Sequence, residues 1–105
     1  TLTDTTNTGN VTLDFDTYQN FVLTLTGNVT LVNPSLTSES VGQVGTIIFI
    51  QDATGGRTLS LGTDYESVGG SGITLSTAAS ATDMVPYVVV STTRILLGTP
   101  QLAFS

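Results

Sequence analysis

The chain contains no cysteine, no histidine, no lysine and no tryptophan, and its only cations are Arg57 and Arg94. Each absence removes a class of chemistry. Without cysteine there is no disulfide, no thiol nucleophile and no thiolate-held cluster. Without histidine there is no imidazole-ligated metal and no Ser-His-Asp triad. Without lysine there is no Schiff base and no phosphate-loop ammonium. Two arginines in a chain of net charge −6 and pI near 4.1 cannot replace the counterions of a nucleic acid. They cannot hold an anionic membrane surface either, so no nucleic acid and no membrane is expected as a partner. Charged residues make up only 10% of 105 residues, where about a quarter is usual. No apolar run approaches the roughly 18 residues of a membrane-spanning helix, and the start carries no basic, apolar-cored leader.

What the chain has is threonine, 21 of 105 residues, set among Val, Ile, Phe and Tyr. These side chains fit a pleated, half-buried surface. No segment of useful length shows the 3.6-residue period of an amphipathic helix. Strands are expected at Val11–Asp16, Phe21–Thr26, Asn28–Val32, Gly45–Gln51, Thr58–Leu61, Ile73–Ser76, Met84–Ser91 and Arg94–Thr99, with Gln101–Phe104 as one more short strand. Gly27-Asn28 reads as a turn, and Asp52-Ala53-Thr54-Gly55-Gly56 as a hairpin loop returning through Thr58–Leu61. Ser76–Ala81 reads as a connection. About eight short strands with turn signals between them imply an all-β sandwich, jelly-roll-like, or a small barrel. The polar segment Thr1–Asn10 has few apolar anchors and is expected as an N-terminal arm, residues 11–105 forming the single sandwich domain. Gly9-Asn10-Val11-Thr12-Leu13 recurs as Gly27-Asn28-Val29-Thr30-Leu31, which reads as repeated turn chemistry.

Three strands are apolar on both faces. Ile48 and Ile50 oppose Ile47 and Phe49; Val88 and Val90 oppose Val85, Tyr87 and Val89; Leu96 opposes Ile95 and Leu97. A strand with one wet face should alternate, so something must cover the second face. Mean hydropathy of +0.31 with so few charges favours a neighbouring subunit as that cover. The expected partner contacts are Thr1, Leu2, Thr3 and Asp4 of the arm, Ile48, Ile50, Val88 and Val90 of the second face, and Leu102 and Phe104 near the C-terminus.

The acidic pairs are weighed as sites and give little. Asp14 and Asp16 fall on one strand face, roughly 7 Å apart by the strand rise, and are read as a solvated face rather than a calcium pair. Asp64 and Glu66 flank Tyr65, the one arrangement that acid-pair sugar hydrolysis could use, but nothing around them reads as a pocket. Asp52 and Arg57 are placed to pair across the neck of their loop. Gly69-Gly70-Ser71-Gly72 is a surface loop. No catalytic residue, cofactor site or metal site is assigned.

From Phe21 to Ile95 the chain reads FVLTLTGNVTLVNP, GQVGTIIFIQDATGGRTLSLGTDY, a Gly-rich loop, TLSTAASATDM and VVVSTTRI. This order of segments resembles a β-rich module of tailed-bacteriophage virion proteins, found in capsid decoration (cement) proteins and at tail-fibre ends. QDATGGRTL, Gln51–Leu59, is its most distinctive piece. The resemblance implies a non-enzymatic virion component that assembles as a homotrimer. Chain length favours a cement protein bound to the major capsid protein on the capsid surface. The alternative is a tail-fibre or spike tip module binding a host receptor or glycan around Tyr65 and Asp64.

Overall fold

A computed structural model describes the whole chain, residues 1–105. The fold is all-β and jelly-roll-like, with eight strands. In chain order they are β1 (Leu2–Val11), β2 (Phe21–Leu31), β3 (Val44–Gln51), β4 (Leu59–Leu61), β5 (Tyr65–Glu66), β6 (Thr82–Ser91), β7 (Arg94–Leu97) and β8 (Gln101–Phe104). Single 3₁₀ turns lie at Ser38–Ser40 and Val68–Gly70. The strands form one mixed sheet in the order β1-β2-β3-β6-β7-β5. β4 adds to β2 and β8 adds to β6. Phe21 of β2 and Tyr65 of β5, from distant places in this order, belong to one cluster of 18 buried apolar residues. A flat sheet could not bring them together, so the sheet curls round its core.

The connections are where local sequence signals mislead. β1, β2 and β3 run parallel to one another. Parallel neighbours need a crossover that carries the chain back to its starting end. Residues 12–20 and 32–43 make those crossovers without an α-helix, and Leu13, Phe15, Tyr18 and Leu36 on them pack in or against the core. Leu13 and Phe15 are buried while Thr12, Asp14 and Asp16 are exposed. The alternation is therefore real as burial, but the segment is not a strand beyond Val11. Asp14 turns it: its Oδ1 accepts the N–H of Asp16 and of Thr17, each at 3.1 Å.

Three further expectations are corrected. Gly27-Asn28 is not a turn: β2 runs straight through it. Gly27 is needed because Thr8 of β1 lies where its Cβ would be. Both copies of the repeated pentapeptide thus begin in neighbouring parallel strands, with Gly9 opposite Val29 and Asn10 opposite Thr30. Next, Asp52–Gly56 is not a hairpin. After this excursion the chain rejoins the same edge of β2 in the same direction, as β4 in parallel register with Val29–Leu31. Finally, Ile73–Ser76 forms no ladder. Ile73 and Leu75 still point inward, and the backbone of Ser76 is held by the side chains of Gln51 and Asp83.

Thr1–Asn10, expected as an arm, is largely β1, paired along β2 from Leu2↔Phe21 to Val11↔Leu31. Its order comes from backbone pairing rather than from apolar anchors. Asn7 is its one buried residue, and donates its Nδ2 to the carbonyls of Asp4 and Thr24 at 2.9 and 3.0 Å.

One buried side-chain atom has no partner, the Tyr65 hydroxyl. Burial pushes its phenol well above the ordinary tyrosine range, with the Asp64 charge adding to the effect. Removing an unpaired buried hydroxyl removes its desolvation cost, so Tyr65→Phe is expected to raise stability by about 1 kcal/mol. Urea denaturation reads this as a higher midpoint at unchanged slope. A lower midpoint would mean that the hydroxyl has a partner after all.

Candidate functional site

The two-faced strands resolve into an inward and an outward set. Ile47, Phe49, Val85, Tyr87, Val89, Ile95 and Leu97 are buried in the core. Ile48, Ile50, Val88 and Val90 lie on the other side, half-buried or exposed. Strand register sets them in rows across the sheet. Val22, Ile48 and Met84 form one row. Val44, Val88 and Leu96 form another. Thr24, Ile50, Thr82 and Phe104 form a third, reaching from β2 to β8. Val44 is 57% exposed, Phe104 50% and Val90 40%. The first and third rows contain no charged side chain, although the chain carries ten; the second continues from Leu96 to Glu66, which is paired with Arg94. Thr3 stands opposite Val22 and so extends the first row onto the edge strand β1, with Thr1, Leu2 and Asp4 beside it at the start of that strand; all but Leu2 are exposed.

The candidate carboxylates are engaged in holding loops. Asp16 accepts hydrogen bonds from the hydroxyls of Ser40 and Thr37, which ties the first crossover to the second. The Ser40 hydroxyl chiefly holds the Asp16 carboxyl below the ordinary range. Asp52 pairs with Arg57 at 3.0 Å across the neck of the 52–57 loop, as the sequence suggests. Asp52 Oδ1 also accepts the N–H of Gly55 at 3.0 Å. Arg57 is the main cause holding the Asp52 carboxyl low. The neck is closed from inside by Gln51, which sequence reading passed over. Its buried carboxamide donates to the carbonyls of Arg57 and Ser76 at 2.8 and 2.9 Å and accepts the N–H of Arg57 at 3.0 Å.

Asp64 and Glu66 are not brought together as an acid pair. Glu66 is clasped by Arg94 through both oxygens, at 2.6 and 3.2 Å. Arg94 holds the Glu66 carboxyl below the ordinary range, the reverse of what a general acid requires. Tyr65 between them is buried and offers no stacking surface. No group of three or more acidic side chains gathers to hold a cation.

Beside these residues lies a cleft of about 760 Å³, walled by Leu59–Thr63 on one side and Gly70–Thr74 on the other. Ser60, Thr63, Ser67, Ser71 and Thr74 are among its lining residues, the hydroxyls of Thr63, Ser67 and Ser71 being hydrogen-bonded to Asn33, Gly72 and Val68. Gly69, Gly70 and Gly72 take φ of +67° to +78°, which lets the loop turn tightly over the rim.

No curated protein and no solved structure matches the chain. One family profile does, over residues 3–91, and its title is "Putative phage tail fibre C-terminal domain". The match begins in β1 and runs to the end of β6. It therefore covers the sheet from β1 to β6, both crossovers, the 52–57 loop and the cleft, and leaves out β7 and β8. The chain belongs to this phage tail fibre C-terminal domain family, a structural kind of virion protein.

Proposed function

We propose that the chain is a non-enzymatic end module of a phage tail fibre, and that it assembles with further copies of itself through its outward sheet face. The observation that carries this is the two charge-free rows described above, Val22-Ile48-Met84 and Thr24-Ile50-Thr82-Phe104. A protein of net charge −6 repels its own copies wherever charges face one another. Those two rows offer an approach without that repulsion, and the Glu66 that ends the row of Val44 has its charge paired by Arg94. Covering Val44, Val90 and Phe104 removes apolar area from water, the non-directional driving force for association. A trimer is the assembly that the resemblance implies. The head position favoured by chain length draws no support from the family match, which favours the tail.

Sedimentation tests the assembly. The wild type is expected to sediment as a multiple of its 10.9 kDa. The double variant Val44→Asp/Val90→Asp, changed at exposed positions, is expected to sediment as the single chain with an unaltered circular dichroism spectrum. A wild type that stays a single chain at high micromolar concentration would sink the reading.

The hydroxyl-lined cleft favours a second role at the same fibre end, contact with a host receptor or glycan. Neutral polyhydroxyl ligands are recognised by such arrays of small donors and acceptors. Particles carrying Ser60→Asp/Thr74→Asp should then adsorb less to their host while their fibres assemble normally; unchanged adsorption removes this role.

A further inference from the structure

A carboxylate lies in the core beside the C-terminal strand. Asp83 takes the inward side of β6, in one row with Phe49 and Leu23, and is 2% exposed. Neither cation reaches it, since Arg57 is paired with Asp52 and Arg94 with Glu66. A buried charge must be satisfied by hydrogen bonds, and Asp83 finds two backbone donors. Its Oδ2 accepts the N–H of Ser76 at 2.6 Å, and its Oδ1 accepts the N–H of Ala103 at 2.9 Å.

The second of these bonds has a specific cause. Thr82 stands opposite Phe104 and Met84 opposite Gln101, so one residue of β6 faces two of β8. That is a bulge, and it leaves a backbone N–H without a ladder partner. Ala103 lies in it with φ +59°, a left-handed conformation that residues with a Cβ rarely adopt. All four residues of β8 are exposed, so little side-chain burial holds the strand. The Asp83 carboxylate supplies the acceptor that the ladder lacks.

We propose that Asp83 is a positioning residue that clamps the C-terminal strand to β6 and thereby presents Phe104 and Leu102 as part of the copy-to-copy surface. The presenting role rests on the assembly reading above. Phe104 extends the row of Ile50 and Thr82, so a strand that swings free removes the end of that row.

The test is amide hydrogen exchange on the full chain, comparing wild type with Asp83→Asn. The carboxamide keeps the shape but has one acceptor oxygen, and its NH₂ must face a backbone donor. Ser76 remains held through its carbonyl by Gln51 and through its buried neighbour Leu75. Ala103 is therefore the donor released. Its exchange is expected to rise at least about tenfold, with protection in β2 and β3 unchanged, as for a local opening. The concentration at which the assembly dissociates should rise with it. Unchanged exchange at Ala103 overturns the clamp; full assembly with Ala103 released overturns its presenting role. A wild type that never assembles removes the association reading, and exchange alone then decides the clamp. Should Asp83→Asn fail to fold, Leu102→Ser/Phe104→Ser decides the presenting role. Both positions are exposed, and wild-type assembly by this variant overturns it.

Discussion

Phe15→Ala is expected to cost about 3–5 kcal/mol of folding free energy, the range for a fully buried aromatic. Phe15 is 1% exposed and stands at the centre of the aromatic cluster. Its ring meets Phe21 edge-on at 5.1 Å and Tyr87 edge-on at 5.0 Å, with Tyr65 at 6.3 Å. These partners come from β2, β6 and β5, so one side chain from the first crossover joins three strands of the sheet. Truncation leaves a void bounded by backbone already fixed in a ladder, and such a void cannot collapse fully. A domain of this size has only about 5–15 kcal/mol of stability in all, so the variant should lie close to unfolding at room temperature. Urea denaturation with an unchanged slope measures the loss. A cost below about 1 kcal/mol would show that the void closes, and that the crossover is not a fixed part of the core.

The same residue shows how far sequence reading carries. The alternation Val11, Leu13, Phe15 marks the inward side chains, Leu13 and Phe15 buried and Val11 half-buried, because burial is what a period of two reports. It did not report hydrogen bonding, and Asp14 diverts the backbone into a turn while the alternation continues. In β3 and β6 the strands themselves were legible, yet their inward faces were not, since both faces are apolar. Asp83 carried an unused signal: it shares the phase of Val85, Tyr87 and Val89, so a buried carboxylate follows once that face is known to be inward. The Asp52–Arg57 pair was legible because both residues flank one short loop. The Glu66–Arg94 pair was not, because it depends on β5 lying beside β7 in parallel. The direction taken after Asp52–Gly56 was equally hidden. Its turn chemistry is local, whereas the edge that receives β4 belongs to Val29–Leu31 of a distant strand. The family resemblance found the virion class from segment order; its preference for the head rested on chain length, which the tail-fibre family match over residues 3–91 does not support.

Gly45→Ala is expected to cost about 3 kcal/mol, because the atoms in its way are not free to move. Gly45 lies opposite Tyr87 in the β3–β6 ladder. A Cβ there would run into the carbonyl oxygen of Gln19, and would stand 2.8 Å from the Tyr87 hydroxyl oxygen and 2.9 Å from its ring. That carbonyl accepts the Tyr87 hydroxyl, and the same hydroxyl accepts the Gln43 carboxamide at 2.8 Å. Gln43 also donates to the carbonyl of Tyr18 at 3.0 Å, and Gln19 donates to that of Val44 at 2.6 Å. The end of the first crossover is thus tied to the sheet at this one place, and Phe15 is carried on that crossover. Displacing the Gln19 carbonyl breaks the tyrosine bond and loosens the segment that holds the aromatic cluster shut. Gly27→Ala provides the comparison. There the obstacles are the hydroxyl of Thr8, which can turn aside, and its Cβ at 3.0 Å, which needs only a small shift of the edge strand. Its expected cost is about 1 kcal/mol. Paired denaturation curves decide the matter. Gly45→Ala should lose markedly more than Gly27→Ala, and a Gly45→Ala within about 0.5 kcal/mol of wild type, the range of an ordinary surface change, would mean that the crossover does not close over β3.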